Sequence, residues 1–206
     1  MTAPLIALID GPVPDAERRV FVGRDAPPNP AQDSPAARHA QAMQSAILAA
    51  GPARILNLVV FDAALSTDAD RVARALRMAA DAGAAVALCA LGLPRPDPGI
   101  GAGVAALLAQ GAVVVAASPA RGGPVWPAAF AGVASVQGDA RCGPDGWSRL
   151  GPPLARFGAC PGTPGAGPAG ASVAAAHFAG IAARRLGREG GDALAALDRD
   201  APWQGR

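Results

Sequence analysis

Short, continuously apolar runs alternate along this chain with segments whose apolar residues recur at helical spacing. Continuous apolar runs are typical of strands buried on both faces, and helices that join such strands produce a parallel sheet. The alternation predicts an α/β fold, with a mainly parallel twisted sheet and helices on both faces. The predicted strands are Leu5 to Asp10, Arg19 to Val22, Ile55 to Phe61, Ala84 to Leu91, Ala112 to Ala117 and Val133 to Val136.

Helices are predicted in four of the remaining segments. They run from Ala36 to Ala50, from a cap at Ser66 to Asp68 up to Gly83, from Val104 to Ala109, and from Ala171 to Leu186. The stretch from Gly138 to Gly170 is rich in glycine and proline, which indicates a long loop. The end of the chain, residues 191–206, is predicted to be a tail with one short helix and an exposed Trp203.

Length and composition bound the class of protein. With 206 residues, 51% of them hydrophobic, the chain is long enough to bury a core, and residues 1–206 are predicted to form a single domain. A net charge of +2 does not predict binding to nucleic-acid phosphates. The longest apolar runs are also too short to span a bilayer. We therefore expect neither nucleic acid nor membrane as a partner.

Cysteine usage and the first residues indicate a compartment. Cys89, Cys142 and Cys160 cannot pair completely, and their spacing does not match a metal clip. The first ten residues lack the positively charged start of a secretory signal. The sequence therefore predicts a cytoplasmic protein without a bound metal.

A glycine-rich segment raises the alternative of a dinucleotide site. Gly99, Gly101 and Gly103 have the spacing GxGxG and follow a proline-rich loop. The dinucleotide fingerprint has a different spacing, follows a strand, and needs an acidic residue at the end of the next strand. We therefore expect no cofactor.

Three polar residues fall where the working edge of a parallel sheet is expected. Asp10 ends the first strand, His39 lies in the first turn of the first long helix, and Ser172 opens the last long helix. A hydroxyl becomes a good nucleophile when an imidazole takes its proton and a carboxylate orients that imidazole. Each residue also has a structural explanation, as a turn residue, a surface histidine and a helix cap. Together they suit an Asp-His-Ser triad.

The residues around these positions resemble the subtilisin-like serine peptidase family, in register from about Leu5 to Leu186. The segments at Ile6 to Gly11, His39 to Ile47 and Gly170 to Gly180 resemble the family blocks "VAVIDTG", "HGTHVAGTI" and "GTSMAAPHVAG". The resemblance implies a subtilisin-like fold and a catalytic triad of Asp10, His39 and Ser172. It also implies that His177 is structural and that an extended substrate pairs with Ala90, Leu91 and Gly92.

The chain departs from the family pattern in three places. Where the family has an asparagine that donates to the oxyanion, the register places Ala120, so Ser118 and Arg121 are the nearest side chains with a donor. The loop Gly51 to Arg54 has no cluster of carboxylates, so no calcium is expected. The chain begins at the first strand, which predicts that there is no inhibitory propeptide.

This short format is similar to that of subtilisin-like maturation peptidases, such as the one that removes the leader from the small subunit of quinohemoprotein amine dehydrogenase. The expected function is a serine endopeptidase that cleaves one dedicated cytoplasmic protein or leader peptide. The missing asparagine leaves an alternative open. In this alternative the protein is a catalytically impaired subtilisin-like pseudoenzyme, which binds a peptide in the substrate groove without cutting it.

Overall fold

The computed structural model describes residues 3–14, 16, 18–23, 33–61, 63–151, 155–163, 167–189 and 193–205. In these residues, strands β1 to β9 form one sheet in the order β2-β3-β1-β4-β5-β6-β8-β7-β9. Every neighbouring pair is parallel except β7 with β8. The strands are β1 (Leu5–Asp10), β2 (Arg18–Phe21), β3 (Arg54–Val59), β4 (Val86–Cys89), β5 (Val113–Ala117), β6 (Ala134–Gly138), β7 (Trp147–Arg149), β8 (Phe157–Ala159) and β9 (Trp203–Gln204).

Helices cover both faces of this sheet, as the sequence predicts. They are α1 (Pro35–Ala49), α2 (Ala69–Asp81), α3 (Pro98–Ala109), α4 (Ala171–Glu189) and α5 (Ala193–Arg199). One buried cluster joins α1, α4 and α5 to the sheet, and a second joins α2 and α3 to the opposite face. Alternate residues of β1 enter the two clusters, with Ile6 and Leu8 in the first and Ala7 and Ile9 in the second. The α/β fold class is therefore confirmed.

Small residues let the helices approach closely. An added Cβ at Gly180 of α4 would lie 2.3 Å from the carbonyl oxygen of Ile47 in α1. Because α1 carries His39 and α4 carries Ser172, this backbone contact fixes the relative position of the two helices. None of the described helices has the length and apolar content needed to cross a membrane.

Helix α3 is longer than the sequence suggests, because it begins at Pro98 instead of Val104. Asp97 caps it by accepting a hydrogen bond from the backbone N–H of Ile100 at 3.0 Å. The glycines of the GxGxG segment therefore lie inside a helix. A Cβ at Gly103 would lie only 2.6 Å from the Cβ of Leu76 in α2. We infer that this glycine is required for close packing of α3 on α2.

The predicted loop from Gly138 to Gly170 is also wrong, since it contains β7 and β8. Each of these strands has three residues, too few to produce a periodic pattern. The end of the chain forms the predicted short helix, α5, and then β9, which pairs with β7. The indole N–H of Trp147 donates to the carbonyl of Leu197 at 2.8 Å. This bond ties α5 to β7, while Trp203 is exposed.

Two alanine substitutions in α3 should change stability in opposite directions. Gly101→Ala places its methyl group at ordinary contact distance, 3.5 Å from the Phe130 ring, and alanine favours a helix by about 1 kcal/mol over glycine. Gly103→Ala pushes α3 away from Leu76, and such overpacking typically costs about 1–3 kcal/mol. We expect thermal unfolding to show a higher melting temperature for the first variant and a lower one for the second. The same sign in both would contradict the packing described here.

Candidate active site

Asp10 ends β1 at the carboxyl edge of the sheet, and its side chain is fully buried. Its Oδ1 accepts a hydrogen bond from the backbone N–H of Gly11 at 2.6 Å and lies 2.9 Å from Nδ1 of His39. Its Oδ2 has no hydrogen-bond partner in the described part of the chain. The orientation of the carboxylate therefore depends on Gly11 and His39.

His39 is the fifth residue of α1, one residue later in the helix than predicted, because α1 begins at Pro35 instead of Ala36. The helix starts where it does because the side chain of Ser34 caps it, accepting from the backbone N–H of Ala37 at 3.2 Å, and because Pro35 occupies its first position. The His39 ring stands edge-on to Phe61 with a centroid separation of 6.3 Å. Its side chain is 19% exposed, so the ring is reachable from outside the core.

Burial and charge act together on this pair. Burial raises the pKa of Asp10, although the hydrogen bonds from His39 and Gly11 oppose this by stabilising the carboxylate. Burial alone would lower the pKa of His39, but the hydrogen bond to Asp10 and its negative charge outweigh burial and raise it. The imidazole is therefore a stronger base than an isolated histidine at the same depth.

Ser172 is the second residue of α4, and its Oγ donates to the carbonyl of Ala90 at 3.0 Å. Ile9 and Cys89 are paired in the sheet, so Asp10 and Ala90 are the next residues along two adjacent parallel strands. No hydrogen bond links Ser172 to His39 among the described residues. The structure thus brings Asp10 and His39 into contact and holds Ser172 against Ala90, the residue that follows the neighbouring strand β4.

A cavity of about 300 Å³ lies beside Ser172. It is lined by Leu91, Gly92, Ala117, Pro119, Val125, Ala171 and Ser172. None of these lining residues is charged, and Ser172 is the only one whose side chain carries a hydrogen-bond donor. We call this space the primary cavity.

Of the predicted substrate-binding residues, Leu91 and Gly92 line the primary cavity, whereas Ser118 and Arg121 do not. Ser118 lines a second cavity of about 290 Å³, which shares Pro119 and Val125 with the first as a common wall. Arg121 is exposed and is among the lining residues of neither cavity. The sequence suggested Ser118 and Arg121 as replacements for the missing asparagine, and neither lines the cavity at Ser172.

Val125 is held in the wall by a short antiparallel bridge. The backbone of Leu93 pairs with Trp126 through bonds of 2.8 and 2.9 Å. This pairing brings Val125 against Gly92, where an added Cβ would lie 2.8 Å from the Cγ2 of Val125. The depth of the primary cavity therefore depends on Val125.

His177 lies on α4 beyond Ser172 and is fully buried. Its Nε2 donates to the carbonyl of Gly162 at 3.0 Å, and its Nδ1 has no partner among the described residues. The backbone N–H of Gly170 donates to the neighbouring carbonyl of Pro161 at 2.8 Å. His177 thus supports the turn that precedes α4. No group of three or more potential metal ligands occurs in the described ranges.

Asn57 is a site residue that the sequence analysis missed. It is fully buried in β3, and its side-chain amide hydrogen-bonds the segment that follows Asp10. The available signal was a single amide within the apolar run Ile55 to Phe61. A polar side chain in such a strand needs buried partners, so it indicates a specific hydrogen-bonded role.

Comparison with known proteins supports the fold. No family model matches the chain, and no curated protein matches it. Among solved structures, a serine-to-alanine mutant of the protease domain of PatA matches with a TM-score of 0.68 and 20% identity, covering 97% of this chain and 82% of that one. The prenylagaramide maturation protease PagA matches with a TM-score of 0.65 and 17% identity, covering 89% of this chain and 75% of that one. The predicted subtilisin-like fold is therefore confirmed.

Proposed function

We propose that this protein is a serine endopeptidase in which Ser172 is the nucleophile, His39 the general base and Asp10 the residue that orients His39. The observation that carries the proposal is the 2.9 Å contact between Asp10 and His39 at the sheet edge where Ser172 opens α4. A buried carboxylate on Nδ1 fixes the imidazole tautomer and leaves Nε2 free to accept a proton. The likeness in fold to two protease domains supports this assignment.

The reaction requires Ser172 to leave the carbonyl of Ala90. Rotation about its Cα–Cβ bond would release Oγ, whose proton passes to Nε2 of His39 as Oγ bonds to the substrate carbonyl carbon. His39 then gives that proton to the departing amine, and an acyl-enzyme remains. Water then attacks the ester carbonyl as His39 takes its proton, and His39 returns that proton to Oγ of Ser172 as the bond to the acyl group breaks and the acid is released.

The oxyanion formed in this reaction would bind to the backbone N–H of Ser172, because the first N–H groups of α4 have no partner within the helix. Ala120 stands where the family has its asparagine, and Arg121 is exposed. Loss of one such donor lowers turnover by roughly 10² to 10³. We therefore expect slow cleavage of generic peptides, compensated in a dedicated substrate by contacts remote from the cleaved bond.

The proposed substrate is a segment of one cytoplasmic protein or leader peptide, extended beside Ala90, Leu91 and Gly92. Backbone hydrogen bonds at such an edge bind a strand whatever its sequence, so side-chain cavities provide the selectivity. The three cysteines are unpaired thiols, which favours a reducing compartment. A selective substrate site in a reducing compartment suits a narrow role, the maturation of one partner protein. The link to quinohemoprotein amine dehydrogenase stays a prediction.

The primary cavity predicts which residue precedes the cleaved bond. A charged side chain would lose its hydration there without gaining a partner, so an uncharged apolar residue should be preferred. Peptidyl phosphonates that differ only in this residue should label Ser172 fastest with leucine or phenylalanine and slowest with aspartate or lysine. Val125→Ala should extend acceptance to tryptophan, because it opens the wall to the second cavity. Faster labelling with a charged residue would contradict this prediction.

An alkyl fluorophosphonate probe tests the proposed function directly. We expect it to label the folded protein at Ser172, with the position confirmed by mass spectrometry. Ser172→Ala and His39→Ala should each abolish labelling, because one removes the nucleophile and the other the base. His177→Gln is the matched control: it changes the other histidine, while the glutamine Nε2 can still donate to the carbonyl of Gly162, so labelling should stay in place. A folded protein that is not labelled would reject the peptidase assignment.

The same experiment separates the second candidate, a peptide-binding relative without activity. Two observations favour it. Among the described residues, Ser172 donates to Ala90 and makes no hydrogen bond to His39. Of the residues described as lining the primary cavity, Ser172 alone has a side chain that can donate a hydrogen bond, so none of the others could stabilise an oxyanion. Such a protein would bind an extended peptide in its groove and resist the probe.

A further inference from the structure

Asn57 makes an unusual set of contacts for a residue in the middle of a buried strand. It lies opposite Leu8 in the register of β3 with β1, and its side chain is fully buried. Its Oδ1 accepts from the backbone N–H of Val13 at 2.8 Å, and its Nδ2 donates to the carbonyl of Gly11 at 3.0 Å. The side-chain amide of Asn57 thus bridges Gly11 and Val13 in the segment that follows Asp10.

Asn57 supplies a hydrogen bond on each side of Pro12, which has no N–H to donate. The carbonyl of Val13 is held separately, because it accepts from the Arg19 guanidinium at 3.1 Å and from the backbone N–H of Ala16 at 3.3 Å. Gly11 in turn donates its own N–H to Oδ1 of Asp10 at 2.6 Å, and this is the same oxygen that contacts His39. A continuous chain of hydrogen bonds therefore runs from Asn57 through Gly11 to Asp10 and His39.

Gly11 is also confined from the opposite side. An added Cβ would lie 2.3 Å from the carbonyl oxygen of Ala36, so the first turn of α1 rests directly on Gly11. Because Oδ2 of Asp10 has no partner among the described residues, Gly11 and His39 both act on Oδ1, and Gly11 is the one anchor of the carboxylate besides His39 itself. The position of Gly11, fixed between Asn57 and α1, therefore determines how Asp10 meets His39.

We propose that Asn57 is a positioning residue that fixes the geometry of the Asp10 and His39 pair through Gly11. The inference deepens the proposed function and rests on it for any effect on catalysis. Its structural part stands on the contacts of Asn57 alone and has its own readout. Asn57 touches neither reacting atom, so it acts only through the residues that it holds.

The electrostatic consequence has a definite sign. In the described part of the chain, the titratable groups that interact with the pair are Asp10 and His39 themselves and Cys89, whose pKa burial raises to about 12, so its thiol is neutral. Burial lowers the pKa of His39, and only the oriented carboxylate of Asp10 offsets that effect. If Asn57 is lost and Asp10 turns away, the pKa of His39 should fall.

The test is an NMR titration of the histidine rings, which is practical because the chain has only two histidines. His39→Ala assigns the signals. In Asn57→Ala the midpoint of the His39 signal should move to lower pH, and fluorophosphonate labelling should slow by about 10²-fold. Leu58→Ala is the matched control, because Leu58 is the next residue of β3, equally buried, and packs on the other face. It should lower the melting temperature without moving the midpoint.

A second variant covers the case in which Asn57→Ala does not fold. Asn57→Leu has nearly the same shape, so it leaves no cavity, and it removes both hydrogen bonds, to Gly11 and to Val13, so the His39 midpoint should again move to lower pH. An unchanged midpoint in every folded Asn57 variant would overturn the inference. Absence of labelling in wild type, with the midpoint still sensitive to Asn57, would instead reject the peptidase function and leave the positioning role in place.

Discussion

Asparagine in place of Asp10 should lower the rate of fluorophosphonate labelling at Ser172 by roughly 10⁴, because it preserves the shape of the side chain and removes its charge. The Gly11 N–H can still bond to the asparagine oxygen, so the end of β1 should keep its backbone conformation. His39 then faces a neutral group. It loses the charge that stabilises its protonated form when it takes the proton of Ser172.

The pH dependence of this variant provides an independent check. In the proposed mechanism labelling needs neutral His39, so the wild-type rate should fall as pH drops through the pKa of His39, which lies above the ordinary value. In Asp10→Asn, burial is no longer opposed by charge, and the midpoint should move to lower pH. The measurement is the labelling rate from pH 5 to 9, with Asp145→Asn in an exposed loop as the control. An unchanged midpoint in Asp10→Asn would show that Asp10 does not act on His39.

Strand β1 shows why part of the fold is readable from the sequence. Its apolar run is bounded by Pro4 and by Gly11, so its predicted limits, Leu5 to Asp10, match the observed ones. Strands β7, β8 and β9 have two or three residues each and are strands through their pairing with neighbours in the sheet. Such strands have no local signature, and a glycine-rich segment that pairs in this way looks like a loop.

The candidate site, like the fold, could be predicted from the sequence only in part. Asp10, His39 and Ser172 were proposed because each lies at or near the end or the start of an element and in a block that resembles a known family. Asn57 was missed because its bonds reach Gly11 and Val13, which are 46 and 44 positions away in the chain. A register between β3 and β1 must be known before these groups can be recognised as neighbours. Local pattern therefore singled out the proposed reacting groups, whereas the residue proposed to position them could be recognised only in the assembled sheet.

Gly11→Ala should have the largest effect of any single added methyl group at the site. The new Cβ would lie 2.3 Å from the carbonyl oxygen and 2.7 Å from the carbonyl carbon of Ala36, both of them backbone atoms that cannot rotate away. Helix α1 must move off β1 to admit it, and His39 moves with the helix. A displacement of the order of 1 Å at reacting groups costs about 10²-fold in rate. We expect labelling of Ser172 to fall by at least that factor.

Gly101→Ala is the appropriate control, since it also adds a methyl group to a glycine but meets the Phe130 ring at 3.5 Å and should leave labelling unchanged. Circular dichroism and thermal unfolding should show that Gly11→Ala is folded and less stable, by about 1–3 kcal/mol for an overpacked contact. The decisive measurement is the labelling rate of the folded fraction. If that rate equals the wild-type rate, α1 can shift without moving His39, and the contact between Gly11 and Ala36 does not set the geometry of the pair.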